Sequence, residues 1–127
     1  MGRNRLIAPR NSVNTKQLYM FYILGELYKG NTIYGNIVLE EFKSRFSSAD
    51  LPFPVSSSTV YDTLYYLENM GYVNSKWLGD EFLNKRSKKV YSITDSGIQY
   101  YKSHISDYVD NLTKTKSTLD IMIKMLT

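Results

Sequence analysis

A run of hydroxyl residues in this sequence could hold a phosphate group. Ser57, Ser58 and Thr59 stand at the predicted start of a helix, where hydroxyls and main-chain N–H groups suit a phosphate oxygen. At 100° per residue, Tyr65 falls on the outer face of this helix and Tyr61 on its flank, from which both phenols could reach phosphate. In the alternative interpretation the hydroxyls only cap the helix, and Tyr61 packs against the preceding helix.

Basic residues form two short patches with no acidic residue among them. The net charge of +4 comes from 16 Lys and Arg against 12 Asp and Glu, and the chain outside the patches is net negative. Such patches attract polyanions more strongly than an even distribution of charge would, although two solvated basic loops are the simpler alternative. The first patch contains Arg3, Arg5, Arg10 and Lys16, and the second contains Lys85, Arg86, Lys88 and Lys89.

Most other chemistry is excluded by what the sequence lacks. Without cysteine there is no disulfide, thiolate metal site or cysteine nucleophile, and His104 is the single histidine. We find no paired carboxylates, nucleophile constellation or glycine-rich phosphate loop, so we predict no enzyme activity, no cofactor and no metal site. No apolar run is long enough for a membrane span, and the polar, basic start has no secretory core. A cytoplasmic protein without membrane contact is expected.

Hydrophobic periodicity predicts a mainly α fold with one small antiparallel β-hairpin. Residues 1–13 read as a basic flexible arm, and residues 47–54, which include two prolines, as a linker. Gly25 inside the first helix is explained by a close approach of another segment. The predicted elements are a helix capped by Asn14 or Thr15 and running to Lys29, a helix from a Thr32 cap through Phe46, a helix from a Ser56 cap to Gly71, strands at 72–77 and 89–93, and a helix capped by Thr94.

The last helix carries a seven-residue repeat of apolar side chains. At about 1.5 Å per residue its roughly 30 residues exceed the width of the preceding domain, so its distal half should overhang and pack on a second subunit. We expect its partner to be the apolar first helix of that subunit, and not its own domain. The predicted dimerisation residues are Leu18, Tyr22, Tyr101, Ile105, Tyr108, Leu112, Leu119, Met122 and Leu126.

The order of elements is that of a winged helix-turn-helix, in which the third helix enters the major groove of DNA and the hairpin lies on the backbone or minor groove. Three blocks, residues 34–37, 56–73 and 91–97, together resemble the PadR family of bacterial transcriptional regulators. The sequence departs from the family pattern at two positions of the third helix. The family commonly has glycine where this chain has Ser58, and proline where it has Asp62. Tyr65 and Tyr66 replace what is often a basic residue. Asp62, on the groove-facing side of the helix, repels phosphate but could accept a hydrogen bond from cytosine N4.

The resemblance implies a homodimer that binds double-stranded DNA, usually as a repressor on an inverted repeat. It divides the chain into the arm 1–13, a DNA-binding domain 14–95 and a dimerisation helix 96–127. It also implies a small aromatic effector at the dimer interface, for which Tyr19, Tyr22, Tyr101 and Tyr108 are candidates, although aromatic residues at helical spacing are more often part of the core. The predicted DNA-binding residues are Ser57, Ser58, Thr59, Tyr61, Tyr65, Lys85, Arg86 and Lys88. The alternative function is a protein-interaction adapter that uses the same scaffold without DNA.

Overall fold

A computed structural model of the chain describes residues 14–46, 55–78 and 88–127. The predicted arm, the linker 47–54 and the hairpin tip, with Lys85 and Arg86, lie outside these residues. The predicted fold class, mainly α with one antiparallel hairpin, is confirmed. The described elements are α1 (Thr15–Tyr28), α2 (Gly35–Arg45), α3 (Ser57–Asn69), β1 (Val73–Leu78), β2 (Lys88–Ile93) and α4 (Asp95–Leu126).

Side-chain caps set the start of three helices. Asn14 Oδ1 accepts the N–H of Gln17 at 3.1 Å and begins α1. Thr94 Oγ1 accepts the N–H of Gly97 at 3.0 Å and begins α4, while Ser56 does the same for α3. These caps satisfy N–H groups that have no partner inside the helix, and they stand where the sequence predicts them. Glycines of positive φ follow α1 and α3, at Gly30 (φ +93°) and Gly71 (φ +81°).

The predicted start of α2 at a Thr32 cap is wrong. The helix begins at Gly35, after Tyr34, which makes no side-chain cap hydrogen bond. Ile33 is instead extended and forms an isolated antiparallel bridge with Tyr91 of β2, whose N–H donates to the Ile33 carbonyl at 3.4 Å. A helix starting at Thr32 would lose this pairing and remove the buried Ile33 side chain from the core.

The core lies between α1, α2 and α3 and is closed at one end by the hairpin. Tyr19 and Ile23 of α1 are fully buried, and the Tyr19 ring lies 4.5 Å from the ring of Phe42 in α2. The stripe predicted for α3, Val60, Leu64 and Leu67, is buried as expected. The remaining core residues include Met20, Leu24, Leu27, Ile33, Val38, Val73 and Tyr91.

The first half of α4 packs on α1 of the same chain. The Tyr101 ring lies on Gly25, where an added Cβ would be 3.0 Å from the Tyr101 hydroxyl oxygen, so the predicted close approach at this glycine is confirmed. The Phe21 and Tyr108 rings stack at 4.8 Å. Two of the predicted dimerisation residues, Tyr101 and Tyr108, therefore pack on the chain's own α1, and packing of the distal half on a second subunit stays a prediction.

The second half of α4 extends beyond the rest of the chain. The helix has 32 residues and is therefore about 48 Å long, and every residue from Lys116 onward is exposed. The exposed side chains in this half include Leu119, Ile121, Met122, Ile123, Met125 and Leu126. The chain thus presents a long apolar helix surface that its own described residues leave uncovered.

Candidate nucleic-acid interface

The outer face of α3 carries two exposed tyrosines. Tyr61 is 47% exposed and Tyr65 68% exposed, while the opposite side of the helix is buried in the core. Asp62 and Asn69 are exposed on the same face, as the sequence predicts. Tyr66 was expected beside them but is half-buried, with the Lys16 ammonium 3.9 Å from its ring centre. The helix therefore presents phenols and one carboxylate outward.

The hydroxyl residues at the start of α3 fall into two groups, one that belongs to the helix cap and one that is exposed. The Thr59 N–H donates to Ser56 Oγ at 3.4 Å, and Thr59 is half-buried, so Thr59 belongs to the cap. Ser57 and Ser58 are exposed, and the Ser58 hydroxyl lies 2.9 Å from Ser56 Oγ. Of the predicted phosphate contacts, these two serines face outward at the positive end of the helix dipole.

Gly35 fixes the position of Tyr61. The Tyr61 ring lies directly against the Gly35 backbone, and a Cβ at position 35 would collide with the ring. The alternative interpretation for Tyr61, packing against the preceding helix, is thus confirmed, and the side chain still exposes about half its surface. This contact explains why glycine, which has poor helix propensity, stands at position 35, since any larger residue would displace the Tyr61 ring.

A carboxylate joins α3 to the hairpin. Glu68 accepts a hydrogen bond from the Ser75 hydroxyl at 2.6 Å and lies 3.6 Å from the Lys89 ammonium. Because Ser75 is in β1 and Lys89 in β2, this one side chain orients both strands relative to α3. Burial raises the pKa of Tyr91, and it is raised further by Glu68 and Tyr61, because α3 lies close to the inner face of the hairpin.

Most predicted wing cations lie outside the described residues. Lys85 and Arg86 belong to residues 79–87, and of Lys88 only the backbone is described, as the first residue of β2. Their role in DNA binding stays a prediction. Lys89, which the sequence analysis counted in the basic patch but did not select as a site residue, is the wing cation whose contacts the structure gives.

The predicted dimerisation residues fall into three environments. Leu18 and Tyr22 of α1 are half-buried, and Tyr22 meets the edge of Phe42 at 5.0 Å. Tyr101, Ile105, Tyr108 and Leu112 are at least half-buried within the single chain, whereas Leu119, Met122 and Leu126 are exposed. Phe21, Gly25 and Tyr28 of α1 contact α4, and none of them was selected as a dimerisation residue.

Comparison with known proteins gives a single family. The model of the "Transcriptional regulator PadR-like family" matches residues 23–103, which is more than half of the chain. The chain belongs to the PadR-like family. No curated protein sequence matches it.

Solved structures of other PadR-family and related regulators share the fold. A transcriptional regulator from Thermoplasma acidophilum is 24% identical, with a TM-score of 0.60 over 86% of this chain and 93% of that one. PadR from Bacillus subtilis, solved in complex with operator DNA, is 25% identical, with a TM-score of 0.56 over 70% of this chain and 47% of that one. A PadR-family regulator from Eggerthella lenta is 17% identical, with a TM-score of 0.60 over 83% and 84%. These structures confirm the winged-helix architecture, and the family match confirms the assignment as a transcriptional regulator.

The described part of this PadR-family chain has neither a metal-binding cluster nor a membrane-spanning helix. No group of three or more histidine or acidic residues there could hold a metal ion. Of the helices within residues 14–46, 55–78 and 88–127, none combines the length and apolarity needed to cross a membrane. His104 is exposed, with its ring 4.4 Å from that of Tyr100.

Proposed function

We propose that this PadR-family chain is a homodimeric repressor that binds an inverted repeat in double-stranded DNA. In each subunit α3 enters the major groove, and the hairpin follows the backbone or minor groove. The observation that carries the proposal is the exposure of Tyr61 and Tyr65 on a helix that the core holds rigidly on its other side. Phenols at these positions contact phosphate, sugar or a thymine methyl, and Ser57 and Ser58 add phosphate contacts.

The exposed half of α4 supports the proposed homodimer. Six large apolar side chains are exposed between Leu119 and Leu126, far more than a lone helix in water normally presents. We propose that the exposed half of α4 packs on the same half of α4, and on α1, of a second subunit. A small aromatic effector at the dimer interface is also part of the proposal. Of its candidate contacts, Tyr22 and Tyr101 are half-buried, whereas Tyr19 and Tyr108 are buried within the single chain. The proposal places the protein in the cytoplasm.

The charge of α3 predicts how the protein recognises a DNA sequence. The helix has no lysine or arginine, and it carries Asp62 on its outer face and Glu68 beside the hairpin. Phosphate attraction must therefore come from outside the helix, from the wing patch that includes Lys85, Arg86 and Lys88. Asp62 repels phosphate and accepts hydrogen bonds, so we propose that it selects cytosine N4 within the groove.

Selection of bound duplexes from a random pool, at a stated salt concentration, tests the proposal. The expected product is an inverted repeat whose binding constant falls steeply as salt increases. Replacing Lys85 and Arg86 by alanine should weaken all sequences about equally and flatten the slope by roughly one or two units. The Lys102→Ala and Lys124→Ala double variant, in α4, is the matched control. Selection that enriches no sequence contradicts the proposal.

The acidic, tyrosine-rich face of α3 also favours a second candidate, a protein-interaction adapter. Tyrosine is common at protein interfaces, and an unopposed Asp62 fits a basic protein better than it fits DNA. An adapter would keep its partner after loss of Lys85, Arg86 and Lys88, and it would bind duplexes only weakly, without sequence preference. The same selection experiment therefore separates the two functions.

A further inference from the structure

The one tryptophan of the chain lies exposed on the hairpin. Trp77 is in β1 and is 65% exposed, an unusual state for the largest apolar side chain. Side chains alternate between the two faces of a strand, so Trp77 shares a face with Ser75 and the buried Val73. The neighbouring Leu78 is also exposed, on the opposite face.

Contacts with Glu68 show that this face is directed toward α3. Ser75, on the Trp77 face, donates to Glu68 Oε2, and Lys89, the cross-strand partner of Trp77, pairs with Glu68 Oε1. Trp77 is thus the next residue outward from the point where the hairpin is joined to α3. On α3 itself, Tyr65 and Tyr61 lie on the same helical stripe as Glu68, about one and two turns away respectively. The exposed rings of α3 and of the hairpin therefore border one surface.

Lys89 supplies the positive charge that α3 lacks. Its ammonium lies 5.5 Å from the centre of the Trp77 ring and 3.6 Å from Glu68 Oε1. An ammonium group has three N–H donors, so contact with the carboxylate leaves it able to donate to a phosphate oxygen. An apolar ring beside such a cation matches one unit of a DNA backbone, because the deoxyribose is the apolar part and the phosphate the anionic part.

We propose that Trp77 and Lys89 form a backbone-binding pair at the edge of the groove that α3 occupies. The indole packs on a deoxyribose and the Lys89 ammonium binds the adjacent phosphate. The pair rests on the proposed function, and it adds two residues of the described hairpin to the wing residues selected from the sequence. Its contacts are with the backbone, so they strengthen binding without selecting a base.

Fluorescence of the single tryptophan tests the proposal directly. The full-length protein is titrated with the duplex obtained from the selection experiment, and with a shuffled duplex of equal length. Contact with the backbone changes the Trp77 emission and decreases its quenching by acrylamide, a neutral quencher. Both duplexes should protect the indole at saturation, because the contact does not depend on base sequence.

Two matched pairs of variants measure the contribution of each residue. Trp77→Ala should weaken duplex binding about five- to tenfold, whereas Trp77→Phe and Leu78→Ala should change it by less than about twofold. Lys89→Gln should reduce the slope of log K against log salt by about one unit, and Lys114→Gln in α4 should leave the slope unchanged. Because all four side chains are at least one-third exposed, thermal melting should show that each variant stays folded.

The outcomes separate this proposal from the proposed function. If the protein binds duplexes while acrylamide still quenches Trp77, and Trp77→Ala binds as tightly as the unmodified protein, the proposed backbone-binding pair is wrong and the proposed DNA binding stands. If the protein binds no duplex, both are overturned. If Trp77→Ala changes which sequence is preferred, the indole reads bases and the backbone assignment is wrong.

Discussion

Tyrosine side chains in this chain occupy two environments with opposite roles. Tyr61 and Tyr65 expose their rings on α3, where they can reach a ligand. Others lie in the core or between helices, and burial raises their pKa above the ordinary value of 10.0. These are Tyr19, Tyr22, Tyr91, Tyr100 and Tyr108. The first group is available for binding, and the second group makes the free energy of unfolding depend on pH in the alkaline range.

The buried tyrosines predict loss of stability at high pH. Their folded-state pKa lies above the unfolded value of 10.0, so above about pH 10 the folded chain keeps protons that the unfolded chain loses. The free energy of unfolding is therefore constant with respect to these groups below that pH and falls as the pH rises through the folded-state values. Urea unfolding at a series of pH values from about 8 to 11 measures the decline. An unfolding free energy that stays constant to the alkaline end of the series contradicts the burial of these phenols.

Tyr108 gives the sharpest version of this prediction. Its ring is buried against Phe21, and its hydroxyl has no hydrogen-bond partner among the described residues. Tyr108→Phe removes a desolvated polar group, so the free energy of unfolding should be unchanged or rise by up to about 1 kcal/mol at neutral pH. The alkaline decline should also become shallower. A loss of more than about 1 kcal/mol would show that the hydroxyl is hydrogen-bonded in solution, for example to a second subunit.

At the scale of elements, local signals determine the helix ends and distant contacts determine the rest. Asn14, Ser56 and Thr94 act on N–H groups three residues away, so the starts of α1, α3 and α4 can be predicted from the sequence. The start of α2 could not, because Ile33 is held by Tyr91, far along the chain. A local capping signal at Thr32 was outweighed by a pairing that periodicity does not reveal.

The same distinction applies to the candidate site. The exposure of Tyr61, Asp62 and Tyr65 follows from helical periodicity alone, once Val60, Leu64 and Leu67 are assigned to the core. The joining of α3 to the hairpin through Glu68 depends on residues from three elements and has no local signal. Strand alternation from the buried Val73 was a signal that could have placed Trp77 on the α3 side.

The packing of Tyr61 on Gly35 predicts that α2 positions the binding face of α3. Gly35→Ala should push the Tyr61 ring aside and weaken duplex binding about three- to tenfold, with little loss of stability because the ring end is exposed. In a Tyr61→Ala background the same change should have almost no further effect, which a double-mutant cycle measures by anisotropy. Ser44→Ala, an exposed change elsewhere in α2, is the control. Additive effects of the two changes would show that Gly35 does not act through Tyr61.

At the scale of the whole molecule, α4 divides into a half that belongs to the domain and a half that extends away from it. Tyr101 and Tyr108 attach the first half to α1. In the second half, Met125 is 78% exposed and Leu126 is 85% exposed. The cost of leaving these side chains in water favours association, and pairing two chains through this half would set a fixed distance between their α3 helices.

A single charge on the exposed half should separate the subunits. Leu119→Asp places a carboxylate in the predicted interface and should weaken self-association at least about 100-fold, because the charge would be buried without a partner. Ser117→Asp, two residues away and on the face opposite the seam, should leave association unchanged. Sedimentation equilibrium over a range of concentrations measures both, and the monomer should remain folded, since Leu119 is already exposed in the single chain. Equal association of the two variants would place the interface elsewhere.

Hydroxyl-radical footprinting of the full-length protein on its selected duplex tests the central claim most directly. The account predicts two protected segments on one face of the DNA, related by the symmetry of the inverted repeat, with centres about one helical turn or a small multiple of it apart. Leu119→Asp should reduce protection of both segments together. A single protected segment, or protection that Leu119→Asp leaves unchanged, would contradict a dimer that presents two α3 helices to one duplex.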